Sequence, residues 1–135
     1  YSTLYGDMVG GFSVLKDVPK TLVYKIADEI NHANQIIPKR ILTRAPSAEL
    51  SENQTDQDSL PDYETLDEII DLYIEKNQNP KIIIKKGFSA QVVKKVVKLI
   101  RNNEFKRRQA APGPKVTSKA FGKDRRYPIT SKNKS

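Results

Sequence analysis

Three consecutive cations, Lys106-Arg107-Arg108, stand just past a predicted helix and just before the small, proline-punctuated run Gln109-Ala110-Ala111-Pro112-Gly113-Pro114. Such groups suit anions: guanidinium meets phosphate or carboxylate through a planar fork, ammonium as a mobile point charge. On a helix three adjacent side chains diverge, so at most two face one ligand. By composition alone the triplet also reads as a solvated helix end favoured by the C-terminal dipole. Lys20 falls in the first turn of another predicted helix. Its ammonium either adds to the N-terminal dipole beside a phosphate or simply points to water. Ser47, in a Pro-Ser-Ala turn, is a turn hydroxyl that can also donate to a phosphate or ribose oxygen. Asp56, Asp58 and Asp62 resemble a calcium loop only superficially, because the glycine of the tight turn and the closing bidentate Glu are missing.

Several chemistries drop out. The chain holds no Gly-x-x-x-x-Gly-Lys-Ser/Thr, Gly-x-Gly-x-x-Gly, Gly-x-Ser-x-Gly or His-Glu-x-x-His, so a self-contained kinase, hydrolase or metalloprotease is not expected. With no Cys and one His, disulfides, a thiol nucleophile and thiolate or histidine-rich metal centres are excluded. Zero Cys also fits a reducing compartment, and a cytoplasmic location is expected. No apolar run approaches the length of about 20 residues that spans a membrane. The start, Tyr-Ser-Thr-Leu-Tyr, carries no initiator Met and no signal-peptide pattern. Beginning inside a motif, it reads as a chain that lacks its upstream part.

A length of 135 residues suits one domain with a modest core. The net charge of +8 is unevenly placed. Residues 106–135 hold ten Lys and Arg against one acid, Asp124, whereas residues 1–105 hold 14 basic and 15 acidic groups. A nearly neutral body thus carries a basic tail, which is either a solubilising, poorly ordered terminus or a binder of phosphate or nucleic acid.

The elements that must position these groups are helical. Asp17-Val18-Pro19-Lys20 reads as a helix start with Asp17 as cap, and Leu22, Val23, Ile26 and Ile30 form an apolar stripe on a helix from about Pro19 to Ala33. Residues 41–61 are polar and irregular, a loop long enough to suggest a lid or a disordered segment. Asp62 opens a second helix with Leu66, Ile69, Ile70, Tyr73 and Ile74 inward and Asp67, Glu68, Asp71 and Glu75 toward water. The short apolar run Ile82-Ile83-Ile84 fits either a strand or a helix, and Asn79-Pro80 as a start with Gly87 as a stop favours a short helix. Ser89 caps a third strong helix bearing Val92, Val93, Val96, Val97 and Ile100. No sheet can be built from these residues. The chain is expected to be predominantly α-helical, the helical part of an α/β domain whose parallel strands lie elsewhere.

Six segments in order carry a resemblance: Tyr-Ser-Thr-Leu-Tyr-Gly-Asp-Met-Val-Gly-Gly-Phe (1–12), Leu-Lys-Asp-Val-Pro-Lys-Thr-Leu-Val-Tyr (15–24), Arg-Ala-Pro-Ser-Ala-Glu-Leu (44–50), Gln-Thr-Asp-Gln-Asp-Ser-Leu-Pro (54–61), Glu-Phe-Lys-Arg-Arg-Gln-Ala-Ala-Pro (104–112) and Asp-Arg-Arg-Tyr-Pro-Ile-Thr (124–130). Together the chain resembles the C-terminal part of the synthetase domain of glutamine-dependent NAD synthetases. The Gln-Ala-Ala-Pro-Gly-Pro extension and the Asp-Arg-Arg-Tyr ending are similar to the glutamine-dependent branch rather than the shorter ammonia-only one.

The resemblance implies a Rossmann-like, adenine nucleotide alpha hydrolase-type parallel sheet with helices on both faces, and a carbon–nitrogen ligase. Such enzymes adenylate the nicotinate carboxylate of deamido-NAD with ATP and Mg, then let ammonia displace AMP. A nitrilase-like glutaminase domain supplies the ammonia. By position, Tyr1, Ser2, Thr3, Leu4 and Lys106 fall on deamido-NAD contacts, and Lys20 and Ser47 fall on ATP contacts. Residues 41–61 match a substrate-covering loop, and 106–135 form the basic C-terminal segment. The family's Ser-Gly-Gly-x-Asp-Ser phosphate loop, its magnesium-holding glutamate and the glutaminase Glu-Lys-Cys set are not in these residues, so no catalytic or metal residue is assigned, and the chain alone is expected to be inactive. The expected partners are the rest of the synthetase domain, a glutaminase domain and further copies in a homo-oligomer, with neither nucleic acid nor membrane. Two competing readings are a small basic nucleic-acid-binding module, with Phe121 and Tyr127 among the cations, and a structural oligomer-interface element.

Overall fold

The computed structural model describes residues 11–120 and 124–130. Among them no strand occurs, and the order is α1 (Lys20–Ala33), α2 (Lys39–Thr43), a 3-10 turn (Asp56–Asp58), α3 (Tyr63–Ile70), a π-helical turn (Asp71–Glu75), α4 (Pro80–Lys85), α5 (Ala90–Asn102) and α6 (Glu104–Gln109). The chain divides into two units, Val18–Asp67 and Tyr1–Asp17 with Glu68–Ser135.

In the unit Val18–Asp67, α1 begins directly after Pro19, whose carbonyl accepts from Leu22 and Val23. The Asp17 cap expected from sequence is not formed: no side chain caps at Pro19, and Asp17 is engaged elsewhere. Instead Asp67, distant in sequence, accepts from the Thr21 amide at 2.8 Å, and its charge also suits the positive helix end. The apolar stripe of α1 does not form a closed core. Leu22, Ile26 and Ile30 are 36%, 43% and 44% exposed, and only Ala27 is buried. After Ala33 the Asn31 side-chain amide brackets Ile37, donating to its carbonyl at 2.9 Å and accepting from its amide at 2.8 Å.

The stretch read as wholly irregular contains order. Helix α2 follows Pro38, and the 3-10 turn carries a reciprocal capping box in which the Thr55 amide and hydroxyl both meet the Asp58 carboxylate. Neither element has an apolar repeat long enough for periodicity to expose it. Asp62 starts α3 as expected, accepting from the Thr65 amide at 2.8 Å.

In the other unit the core is Ile69, Leu72, Tyr73, Ile74, Ile83, Val93, Val96, Val97 and Ile100. Three of these are consecutive, which an α-helix with one buried face does not allow. The π-helical turn explains it: the Lys76 amide bonds to the Asp71 carbonyl at 2.9 Å, and the wider turn buries Leu72, Tyr73 and Ile74 together. Asn79 caps α4 by accepting from Lys81 at 2.9 Å, and Gly87, at φ 105, ends the following turn in a conformation only glycine adopts readily. Helix α4 packs on α5, whose Val93, Val96, Val97 and Ile100 face inward. Ser89 precedes α5 at the cap position, but its side chain makes no capping bond.

The basic tail is not a loose terminus where it is described. Ser13 donates to the Pro112 carbonyl at 2.8 Å, Lys16 to the Ala111 carbonyl at 2.8 Å, and the buried Asp17 carboxylate accepts from the Val116 amide, the Thr117 amide and the Thr117 hydroxyl. Gly113 passes so close to Ser13 that a Cβ would stand 2.3 Å from its carbonyl oxygen. Glu75, expected to face water, holds the Ser118 hydroxyl and the Lys119 amide.

Candidate functional site

Lys20 stands on the first turn of α1 and is half-buried. Its ammonium lies 5.6 Å from the Tyr24 ring centroid and 5.9 Å from that of Tyr63, so two aromatic faces flank it. Tyr24 follows at the i+4 position, a pairing that helical spacing alone could have revealed. Tyr63 could not have been found so: the loop and the start of α3 bring it back to α1. Its hydroxyl donates to Asp56 Oδ2 at 2.5 Å. Burial first, and then that bond and the Asp56 charge, push the Tyr63 phenol well above its ordinary range.

Ser47 belongs to the same unit. Its hydroxyl donates to Gln54 Oε1 at 3.0 Å and accepts from the Glu49 amide at 3.0 Å, so it serves first as a turn residue. It lines an open groove of about 320 Å³ with Arg44, Glu49, Asn53 and Gln54. Asp56 ties this loop down a second time, its amide donating to the Pro46 carbonyl at 2.9 Å. A continuous path therefore runs from Ser47 through Gln54, Thr55 and Asp56 to Tyr63 and Lys20.

The acidic trio is occupied structurally. Asp58 closes the capping box and Asp62 caps α3, and backbone and hydroxyl donors from Thr55 and Thr65 respectively hold both carboxyls below their usual range. Among the described residues no group of three or more His, Cys, Asp or Glu side chains could hold a metal ion.

Lys106 belongs to the other unit, on α6. Two of the three adjacent cations do converge on one anion, but that anion is internal. Glu104 is 1% exposed and accepts from Arg107 at 2.5 Å and Arg108 at 3.3 Å, with Arg126 Nη1 at 3.7 Å. Burial would raise the Glu104 carboxyl, but the bond and charge of Arg107, then Arg108, outweigh it and hold the group below its ordinary value. The Lys106 ammonium, between Glu104 and these arginines in sequence, makes no hydrogen bond or ion pair with any described residue. Tyr127 donates to the Tyr73 hydroxyl at 3.0 Å, and Arg125 lies over the Tyr73 ring at 4.5 Å while donating to the Tyr73 carbonyl. Arg108 of α6 in turn donates to the Tyr127 carbonyl at 2.9 Å, which ties the helix that carries Lys106 to the tail. Sequence reading gave no role to Glu104 or Tyr63, and it read Asp17 as a helix cap and Asp56 as one of a superficially calcium-like trio, because their partners lie from three to a hundred residues away. Tyr1, Ser2, Thr3 and Leu4 lie outside the described residues.

The family model for NAD synthase matches residues 1–110. The chain belongs to the NAD synthase family. Among the relatives that this chain resembles, the glutamine-dependent NAD(+) synthetase of Aquifex aeolicus is 56% identical over 132 residues, covering 98% of this chain and 23% of its own length. That of Acinetobacter baylyi is 55% identical over 133 residues, covering 97% and 25%. A solved structure of the glutamine-dependent NAD+ synthetase from Acinetobacter baumannii in complex with ADP matches with a TM-score of 0.51 at 49% identity, over 96% of this chain and 22% of that one. The chain thus spans about a quarter of the length of the curated relatives it matches. No helix among the described residues is long and apolar enough to cross a membrane.

Proposed function

We propose that this chain forms part of a glutamine-dependent NAD synthetase, in which deamido-NAD, ATP and glutamine-derived ammonia give NAD, AMP and pyrophosphate. The observation that carries the reading is identity of 45–56% across nearly the whole chain to synthetases of that name. The ADP-bound neighbour supports a nucleotide as one ligand. A Rossmann-like parent sheet, the remaining synthetase domain and a glutaminase domain belong to the same reading, as does assembly into a homo-oligomer.

Within it, Lys20 meets the ATP phosphates. Flanked by two rings rather than paired with a carboxylate, its ammonium keeps its charge available to a triphosphate. Ser47 donates to the nucleotide after releasing Gln54, and residues 41–61 cover the substrates, keeping water from a hydrolysable acyl-adenylate. Lys106, with Tyr1, Ser2, Thr3 and Leu4, contacts deamido-NAD. Fixed cations of this kind stabilise charge that builds during adenylation, each contact being worth roughly 3 kcal/mol, about a hundredfold in rate. Magnesium would accompany ATP. Asp58 and Asp62 are committed to helix caps and do not fit the ion, so its protein ligands are placed outside this chain. The nucleic-acid alternative is disfavoured because Arg107, Arg108, Arg125 and Arg126 are turned onto Glu104 and Tyr73.

The test uses the A. baylyi synthetase with its matching segment replaced by this chain. Lys106→Ala should raise KM for deamido-NAD and Lys20→Ala KM for ATP. Unchanged constants for both variants would refute the residue assignments.

A further inference from the structure

Asp56 has a role that sequence reading did not assign. The side chain is nine-tenths buried, in a loop whose neighbours Asn53, Gln57 and Asp58 are exposed. One oxygen takes the Tyr63 hydroxyl at 2.5 Å. The other, Oδ1, is buried and meets no donor among the described residues. A carboxylate kept only for stability is a poor choice here, because a buried acceptor without a donor loses its hydration and gains nothing in return. The bond it does make joins two things that need a fixed relation: the Ser47 loop, tied to Asp56 by its amide on the Pro46 carbonyl and to the adjacent Thr55 carbonyl through Gln54, and the ring that forms one wall around Lys20.

We propose that Asp56 is a positioning residue that acts through Tyr63, latching the 44–58 loop to α3 so that Lys20 is held between two aromatic rings with its ammonium aimed at the anion. The Asp67 carboxylate on the Thr21 amide secures the same turn of α1 from the other end of α3's first two turns. Tyr63 contributes its ring to Lys20 and its hydroxyl to Asp56, so the two contacts stand or fall together. When the loop lifts, the hydroxyl leaves Asp56 and the wall beside Lys20 is lost. Cation placement is thereby coupled to loop closure. That the anion is the ATP phosphate chain rests on the function proposed above, but the latch does not.

Two measurements separate the latch from that function. In the chain itself, acetylation of Lys20 by limiting acetic anhydride is followed by mass spectrometry, with the exposed Lys25 of the same helix as internal reference. Asp56→Asn and Tyr63→Phe should each raise the Lys20-to-Lys25 ratio by about two- to fivefold, the factor that one cation–π contact at an exposed site represents. An unchanged ratio in Tyr63→Phe, which keeps the ring and the volume, would overturn the proposal even where Asp56→Asn fails to fold. In the A. baylyi graft, both variants should raise KM for ATP roughly tenfold or more and leave KM for deamido-NAD unchanged. Equal losses for both substrates would mean a merely structural role and would also overturn it. A graft that makes no NAD at all would count against the proposed function, and the lysine ratio would still decide the latch.

Discussion

Replacing Glu104 with Gln keeps the volume and removes one charge from the centre of a cationic cluster. Three guanidiniums converge on this carboxylate, with Arg107 only 11% exposed and Glu104 1% exposed. Removing one partner of a buried ionic group costs about 3–5 kcal/mol, because the remaining charge stays desolvated. The exposed Arg126 contact adds little, since half-exposed pairs at such distances are worth about 0–1 kcal/mol. The expected loss is therefore about 3–4 kcal/mol, dominated by Arg107. Urea unfolding of the 135-residue chain at pH 7, followed by helical circular dichroism, should show the midpoint falling by about 2 M at a slope near 2 kcal/mol per M. The slope itself should not change. A fall of less than about 0.5 M would refute the reasoning, since it would mean that α6 and the tail are not held by this ion cluster. Arg126→Met serves as the comparison, with a loss under about 1 kcal/mol.

Three further outcomes are expected. Gly113→Ala would drive a methyl group into the Ser13 carbonyl at 2.3 Å, a backbone atom that cannot swing away, so thermal unfolding should show a loss of about 1–3 kcal/mol. Asn79→Ala should cost about 1 kcal/mol by removing the α4 cap, measured by the same unfolding curve, whereas Ser89→Ala should cost less because its side chain makes no capping bond. Tyr127, pushed up to about 12 by burial and by its bond to Tyr73, favours the folded state only while protonated. Its contribution is complete below the unfolded tyrosine value near 10 and disappears as pH rises through about 12, so Tyr127→Phe should flatten the alkaline loss of stability between those limits.

Local rules read the helices well and their partners poorly. The Asn79-Pro80 start, the Gly87 stop, the Asp62 cap and the Val93–Ile100 face all arise from chemistry contained within a few residues. Asp17 shows the limit. Its position before Pro19 fits a cap, yet three donors at 116–117 outcompete that local use, and no local pattern announces a partner a hundred residues away. Lys106 was legible as a cation of interest, while the internal acid that turns its two neighbours aside was not, because Glu104 looks like any first-turn helix acid. The stripe on α1 was real as a pattern, but periodicity reports amphipathicity and not what covers it. Three buried residues in succession at 72–74 needed a π-helical turn, which no period of 3.6 anticipates.

The most direct test of the account is the rate of NAD formation from deamido-NAD, ATP and ammonia by the A. baylyi synthetase carrying this chain in place of its matching segment. A rate within about tenfold of the parent enzyme is predicted, with loss of about a hundredfold on Lys20→Ala. A graft that folds and binds ATP but forms no NAD would contradict the claim that these residues serve that reaction.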